Sequence, residues 1–348
     1  MSWSRIADER RKQVTEKIAV IGAGAWGTTL AGLLADKGQD TSLWVFEEDL
    51  AARMTDSRVN DMYLPEYVLP AGLAVTPDLK EAVAGRDIIL MVAPSHATRT
   101  VLERIAPHAA PGAVFVSASK GIENDSLMTM DEVLMDVLPK EFHHGIAVIS
   151  GPSFAKEVCR RMPTAVSVAS RNPDVLRRIQ AAFNTDYFRV YTNPDVTGVE
   201  LGGSLKNVIA IAAGCSDGLG YGHNTRAALI TRGLAEIARL GAARGANPLT
   251  FSGLAGMGDL VLTCTGELSR NRTVGFRLGQ GMKLAEILAD MKMVAEGVKT
   301  TKSAYGLAER HGVDMPITEQ VYNLLYNDAE PQLVVRKLMT RDLKGELG

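Results

Sequence analysis

From position 17 to about 192, short apolar runs alternate with stretches of helical period, in the order of repeated βαβ units. The pattern predicts strands at 17–21, 41–46, 87–92, 113–117 and 147–150, with shorter ones near Leu73, Thr164 and Phe188. From Asn193 onward the strand signal disappears. Positions 195–338 read as successive helices, bounded by punctuating residues such as Gly220, Asn247, Gly281, Gly312 and Pro316. The expected fold is therefore an α/β, Rossmann-like doubly wound sheet followed by an all-α domain. The expected division is a tail at 1–16, a sheet domain at 17–192, a helical domain at 193–340 and a polar tail at 341–348, with the boundary near 191–194.

A chain of 348 residues exceeds what one hydrophobic core usually serves, so two cores are expected. With 46% hydrophobic and 22% charged residues, the composition excludes extensive disorder and collagen-like structure. The net charge of -2 lacks the basic excess of many nucleic-acid binders, so no nucleic-acid partner is expected and any anion site must be built locally. Cys159, Cys215 and Cys264 are odd in number and far apart, which fits a reducing cytoplasm. The segment before Lys17 mixes Arg10, Arg11 and Lys12 with Asp8, Glu9 and Glu16, and it holds no signal-like apolar stretch. No run approaches the roughly 20 apolar residues of a membrane span, so no membrane insertion is expected. No HxxxH pair occurs, and no metal is expected.

Gly22-Ala-Gly24-Ala-Trp-Gly27 sets a GxGxxG loop between a buried strand and a helix. In such a loop the first Gly permits the turn, the second lets a pyrophosphate approach the backbone, and the third allows close helix packing. The helix N-terminus offers free N–H groups and a positive dipole end. Glu47 lies near the end of the next strand, twenty positions after Gly27, where a carboxylate can accept from ribose hydroxyls. Dinucleotide binding follows. The alternative for Glu47 and Glu48 is that they cap or solvate the next helix start.

The run 201–216 contains a single charge, Lys206. On a helix it has apolar neighbours; desolvation would lower its pKa and suit a general acid, or the stem snorkels and leaves the head in water. Lys120 ends a predicted strand, and the carboxyl ends of strands are where doubly wound sheets bind ligands, unless it is a solvated loop lysine. Gly151-Pro-Ser153 repeats that geometry, with a strand running into a Gly-Pro helix start. Ser269-Arg270-Asn271-Arg272 opens a helix, where a cation conflicts with the dipole unless an anion is present. The turn is thus either an oxyanion clamp or a solvated basic turn. Asp259 puts a carboxylate in an apolar stretch, where it either serves a site or caps a helix. Cys264 reads as buried filler rather than nucleophile.

Together these segments resemble the NAD(P)-dependent sn-glycerol-3-phosphate dehydrogenase family from about Lys17 to Leu338. The similar pieces are the Gly22–Gly27 loop, Tyr63-Leu-Pro65, Ser119-Lys-Gly121, 149–157, 198–211, Leu229-Ile-Thr-Arg-Gly233, Gly256-Met-Gly-Asp-Leu260 and Ser269-Arg-Asn-Arg272. The resemblance implies interconversion of dihydroxyacetone phosphate and sn-glycerol 3-phosphate with NAD(P)H, feeding glycerophospholipid synthesis. It implies Lys206 as proton donor with Lys120 and Asp259 beside it, and substrate contacts from Gly151, Ser153, Asn207, Ser269, Arg270 and Asn271. Gly22, Gly24, Ala25, Trp26, Gly27, Phe46, Glu47, Lys120, Ala155, Arg270, Val294 and Glu296 would line the cofactor.

Many bacterial members carry a basic residue at the position of Phe46, able to pair with the 2′-phosphate of NADP. Phe46 and Glu47 here resemble the NAD-dependent members, so NAD is favoured over NADP, although Arg53 and Arg58 lie on the following segment. Two other readings stay open at this point, a β-hydroxyacid-type dehydrogenase and a non-enzymatic NAD(H)-binding redox sensor. The oligomeric state is open as well, a homodimer included.

Overall fold

The computed structural model describes residues 15–291, 293–343, 345 and 346; most of the 1–16 tail and part of the 341–348 tail lie outside them. The strands are β1 (Lys17–Ile21), β2 (Asp40–Trp44), β3 (Val59–Asn60), β4 (Leu64–Val68), β5 (Ala74–Thr76), β6 (Ile88–Met91), β7 (Val114–Ser117), β8 (Ile146–Ser150), β9 (Thr164–Ala169) and β10 (Phe188–Asn193). Eight of them form one sheet in the order β10-β9-β8-β7-β6-β1-β2-β5.

Six strands, from β5 across to β8, run parallel. The βαβ expectation fails only at the step from β8 to β9, and holds again from β9 through the helix Pro173–Phe183 to β10. β9 pairs antiparallel with β8, and β10 runs with β9. The link from β8 to β9 holds only a five-residue helix, Ala155–Cys159, and a parallel return needs a longer crossover. The expected Gly-Pro helix start is displaced for the same reason: Gly151 and Pro152 belong to a loop, and the helix begins at Ala155 after Phe154.

Helices α1 (Ala25–Asp36), α2 (Glu48–Ser57), α3 (Leu79–Val83), α4 (Thr98–Ile105), α5 (Met130–Val137), α6 (Ala155–Cys159) and α7 (Pro173–Phe183) cover the sheet. Alternate side chains of β1 serve opposite faces. Ile18 and Val20 pack with Leu30, Leu34 and Phe183, whereas Ala19 and Ile21 pack with Leu79, Leu102 and Phe115. Burial on both sides explains the unbroken apolar run.

The β3–β4 hairpin was not anticipated, because β3 is two residues long and Pro65 interrupts β4. Asn60 donates to the Ala23 carbonyl and the Thr28 hydroxyl, each at 2.8 Å, which fastens the hairpin to the Gly-rich loop.

The chain then becomes helical: α8 (Val196–Gly218), α9 (His223–Ala243), α10 (Asp259–Thr265), α11 (Arg270–Gly279), α12 (Leu284–Asp290), α13 (Glu296–His311), α14 (Pro316–Tyr326) and α15 (Pro331–Met339). α8 is buried along most of its length and forms the axis of the second core. α11 crosses it at backbone contact. A Cβ on Gly214 would lie 2.0 Å from the Arg272 carbonyl, and one on Gly275 2.0 Å from that of Ile211. This contact fixes the start of α11 relative to the middle of α8.

Candidate active site

Strand order reverses between β1 and β6, so the loops leaving their carboxyl ends diverge and open a crevice. The Gly-rich loop lines one side. Gly22 sits at φ 116, which favours glycine, and a Cβ on Gly27 would come within 1.9 Å of the Gly22 carbonyl. A Cβ on Gly24 would meet nothing within 4 Å. Gly27 is therefore consumed by packing, while the backbone at Gly24 remains approachable. Ala25 begins α1, and the indole N–H of Trp26 is buried without a partner among the described residues. An open backbone, a helix N-terminus and a buried unpaired donor fit a dinucleotide.

At the end of β2, Phe46 is 69% exposed and its ring meets Trp44 edge-on at 6.0 Å. Glu47 occupies the N-cap position of α2 but makes no side-chain cap bond; it accepts from the Tyr63 hydroxyl at 2.9 Å. Arg53 is paired with Asp49 and Asp61, and Arg58 donates to the carbonyls of Pro70 and Leu73. Both arginines that follow Glu47 are thus committed to local structure.

Across the crevice, three groups distant in sequence converge. Asp259, the first residue of α10 and 1% exposed, accepts from Lys120 at 2.6 Å through one oxygen and from Lys206 at 2.7 Å through the other. Lys120 also donates to the Gly151 carbonyl at 3.1 Å. Lys206 donates in addition to the Thr263 hydroxyl at 2.6 Å, and that hydroxyl donates to the Asp259 carbonyl. An ammonium has three donors, so Lys206 keeps one. Desolvation is the main influence on Lys206 and the attraction of Asp259 opposes it; the net effect lowers its pKa to about 8. The snorkelling alternative does not hold, since Lys206 is only 7% exposed. Cys264 is fully buried, and burial pushes its thiol up to about 12, as suits filler.

The start of α11 carries the expected basic turn, but its residues divide the work. Ser269 is the N-cap and accepts from the Arg272 N–H. Arg272 grips Asp217 through two donors, at 3.0 and 2.7 Å. Asn271 donates to Asn207 and accepts from the Gly297 N–H, both at 2.9 Å. Arg270 makes no hydrogen bond or ion pair among the described residues, and its pKa is lowered, chiefly by desolvation. The Nδ2 group of Asn207 likewise has no partner among the described residues. An uncommitted guanidinium at a helix N-terminus has donors suited to an anion.

Glu296 opens α13 and accepts from the Ser95 N–H at 3.1 Å, with Arg270, Lys120 and Lys206 in electrostatic reach; burial nevertheless raises its pKa. Val294 is exposed beside it. Ala155 lies against α1, its carbonyl 3.5 Å from the Thr29 hydroxyl. Ser153 turns back on its own loop to the Gly151 carbonyl and meets neither lysine through a hydrogen bond. Among the described residues, no cluster of metal-ligating side chains occurs and no helix is long and apolar enough to cross a membrane.

Two family models match the chain, the NAD-dependent glycerol-3-phosphate dehydrogenase N-terminus over residues 17–176 and C-terminus over residues 195–336. A glycerol-3-phosphate dehydrogenase [NAD(P)+] of Geobacter metallireducens is 62% identical, covering 96% of this chain and 99% of its own. The chain belongs to this family. A Coxiella burnetii glycerol-3-phosphate dehydrogenase crystal structure is similar with a TM-score of 0.89 at 43% identity, covering 94% of this chain and 99% of its own. A Ralstonia eutropha ketopantoate reductase, at 16% identity and a TM-score of 0.56 over 92% of this chain and 99% of its own, shares the fold alone.

The contacts of Thr263 with Lys206, of Ser95 with Glu296 and of Tyr63 with Glu47 were not anticipated from the sequence. Thr263 had one available signal, its position four residues after Asp259 on a helix, which puts both on one face. Ser95 and Tyr63 had none, because their contacts depend on the tertiary fold.

Proposed function

We propose that Lys206, supported by Asp259, Thr263 and Lys120, is the proton donor in the interconversion of dihydroxyacetone phosphate and sn-glycerol 3-phosphate with NAD(P)H. The observation that carries this reading is a buried ammonium with one free donor, together with an uncommitted guanidinium, both within electrostatic reach of Glu296. When bound, the nicotinamide supplies the hydride. As the C2 carbonyl is reduced, negative charge grows on its oxygen; Lys206 stabilises that charge and then donates its proton. The carboxylate of Asp259 holds both lysines in place, which limits reorganisation during the reaction. Lys120, Asn207 and the 151–153 loop flank the substrate.

Arg270 and the free N–H groups at the start of α11 hold the phosphate, and binding energy remote from C2 thereby orients it. Glu47 binds the adenosine ribose, Phe46 supplies no cation, and Arg53 and Arg58 are occupied, so the enzyme favours NADH over NADPH. The unpaired thiols fit a reducing cytoplasm. A β-hydroxyacid-type dehydrogenase or a redox sensor is not favoured.

Arg270→Ala tests the phosphate assignment. The KM for dihydroxyacetone phosphate should rise about tenfold or more, with a fall in kcat, as loss of a charge-assisted bond predicts. An unchanged KM would place the phosphate elsewhere.

A further inference from the structure

Away from the crevice, a second buried ionisable cluster joins the sheet half to the helix that carries Lys206. Glu200, on the second turn of α8, is 5% exposed and accepts the Asp131 backbone N–H through both oxygens, at 3.1 and 3.2 Å. Asp131 belongs to the first turn of α5 and is 1% exposed. Its carboxylate accepts from Thr129 at 2.8 Å and from Arg171 at 2.9 Å, and the Glu200 carboxyl, bound to the Asp131 N–H, is its immediate neighbour. The remaining charged groups facing the cluster are Glu132, which accepts from the Thr129 N–H and hydroxyl, and Arg244, which pairs with Glu132.

Two carboxyl groups can share a hydrogen bond only if one holds a proton, and one cation, Arg171, cannot neutralise two buried anions. The N–H at the start of α5 tolerates a carboxylate there, but it does not supply the missing charge.

We propose that Glu200 is a positioning residue: its carboxyl shares one proton with Asp131 and so docks the helix bearing Lys206 onto the sheet half. Burial, reinforced by the Asp131 charge, raises Glu200 well above the ordinary carboxyl range. Asp131 goes the other way: burial works to raise it, but the hydrogen bonds from Glu200, Thr129 and Arg171 prevail and hold it low. The two therefore divide one proton and one negative charge. Glu200 sits six positions before Lys206 on one continuous helix, so displacement at the first moves the second.

The sign of the pH effect follows. A carboxyl with a raised folded pKa takes up a proton on folding, so its stabilisation is complete below 4.5, the unfolded value, and is lost as pH rises towards the folded pKa. Asp131, held low, gives stability present above 3.8 and lost only in more acid solution. Above about pH 5 the pH dependence of this cluster thus belongs to Glu200.

Thermal unfolding of the full chain tests the proposal, with wild type, Glu200→Gln and Asp131→Asn compared from pH 5 to 9. Lys206 and Glu236 also titrate in this range but are common to all three proteins. Glu200→Gln keeps a donor without needing a proton, so its midpoint relative to wild type should climb with pH. The gain is at most tenfold in the unfolding constant per pH unit, the limit for one proton. Should Glu200→Gln fail to fold, Asp131→Asn reports the same thing: an amide donor lets Glu200 ionise normally, and the decline above pH 5 should flatten. Curves parallel to wild type in the folded variants would overturn the shared proton. A kinetic arm, which rests on the function proposed above, compares Glu200→Ala with Glu200→Gln. The first should lower kcat for dihydroxyacetone phosphate and the second restore it, whereas equal losses would overturn the positioning role without touching the Lys206 assignment.

Discussion

The proposed chemistry is concentrated in one side chain, Lys206. A free lysine is too weak an acid to work well near neutrality, and burial beside Lys120 removes that handicap while Asp259 keeps the group protonated. Lys206→Ala should leave cofactor affinity near normal and lower kcat by about a hundredfold or more, read from cofactor titration and initial rates. Lys206→Arg should not restore activity, since a guanidinium does not readily release a proton. Asp259→Asn separates charge from shape. Without the carboxylate, desolvation meets less opposition and the pKa of Lys206 drops below about 8. Reduction needs the ammonium, so the alkaline fall in kcat/KM should begin at lower pH in Asp259→Asn, and an unmoved profile would assign that limb to another group. Lys206 stood out in the sequence as the one charge in an apolar run. Its partners Asp259 and Thr263 lie 53 and 57 positions away, and no local pattern links residues across that span.

At the scale of elements, the proposed preference for NADH rests on the β2–α2 junction. Glu47 is held by the Tyr63 hydroxyl, and Tyr63 is delivered by the turn of the hairpin that Asn60 fastens to the Gly-rich loop. A 2′-phosphate placed there would meet a carboxylate, with Arg53 and Arg58 already committed to local partners. The wild type should show a higher kcat/KM with NADH than with NADPH, and Phe46→Arg combined with Glu47→Ser should shift the ratio towards NADPH. A wild type that preferred NADPH would show that the cofactor's adenosine lies clear of Glu47. The buried strands were legible because burial on both faces leaves an unbroken apolar signature. The hairpin was not, since a two-residue strand and a proline-bearing edge strand carry too little pattern. The reversal at β9 was also hidden, because strand composition does not report direction.

In the whole molecule, the site exists because two cores meet. The sheet half presents the Gly-rich loop, Lys120 and the 151–153 loop, and the helical half presents Lys206, Asp259 and Arg270 along α8, α10 and the start of α11. The change from strand to helical patterning near Asn193 was legible in the sequence. The family resemblance implied Lys120 and Asp259 beside Lys206, but the ion pair between these two residues, 139 positions apart, was not legible in the sequence. In the proposed function, this arrangement uses a phosphate remote from the reacting carbon to hold C2 against the donor groups. The most direct test is the initial rate of NADH oxidation by the wild-type chain with dihydroxyacetone phosphate, unphosphorylated dihydroxyacetone and a panel of 2-keto and 3-keto acids. Dihydroxyacetone phosphate should exceed dihydroxyacetone in kcat/KM by a factor on the order of a thousand, with the keto acids barely turned over. Equal use of the phosphorylated and unphosphorylated compounds, or preference for a keto acid, would contradict it.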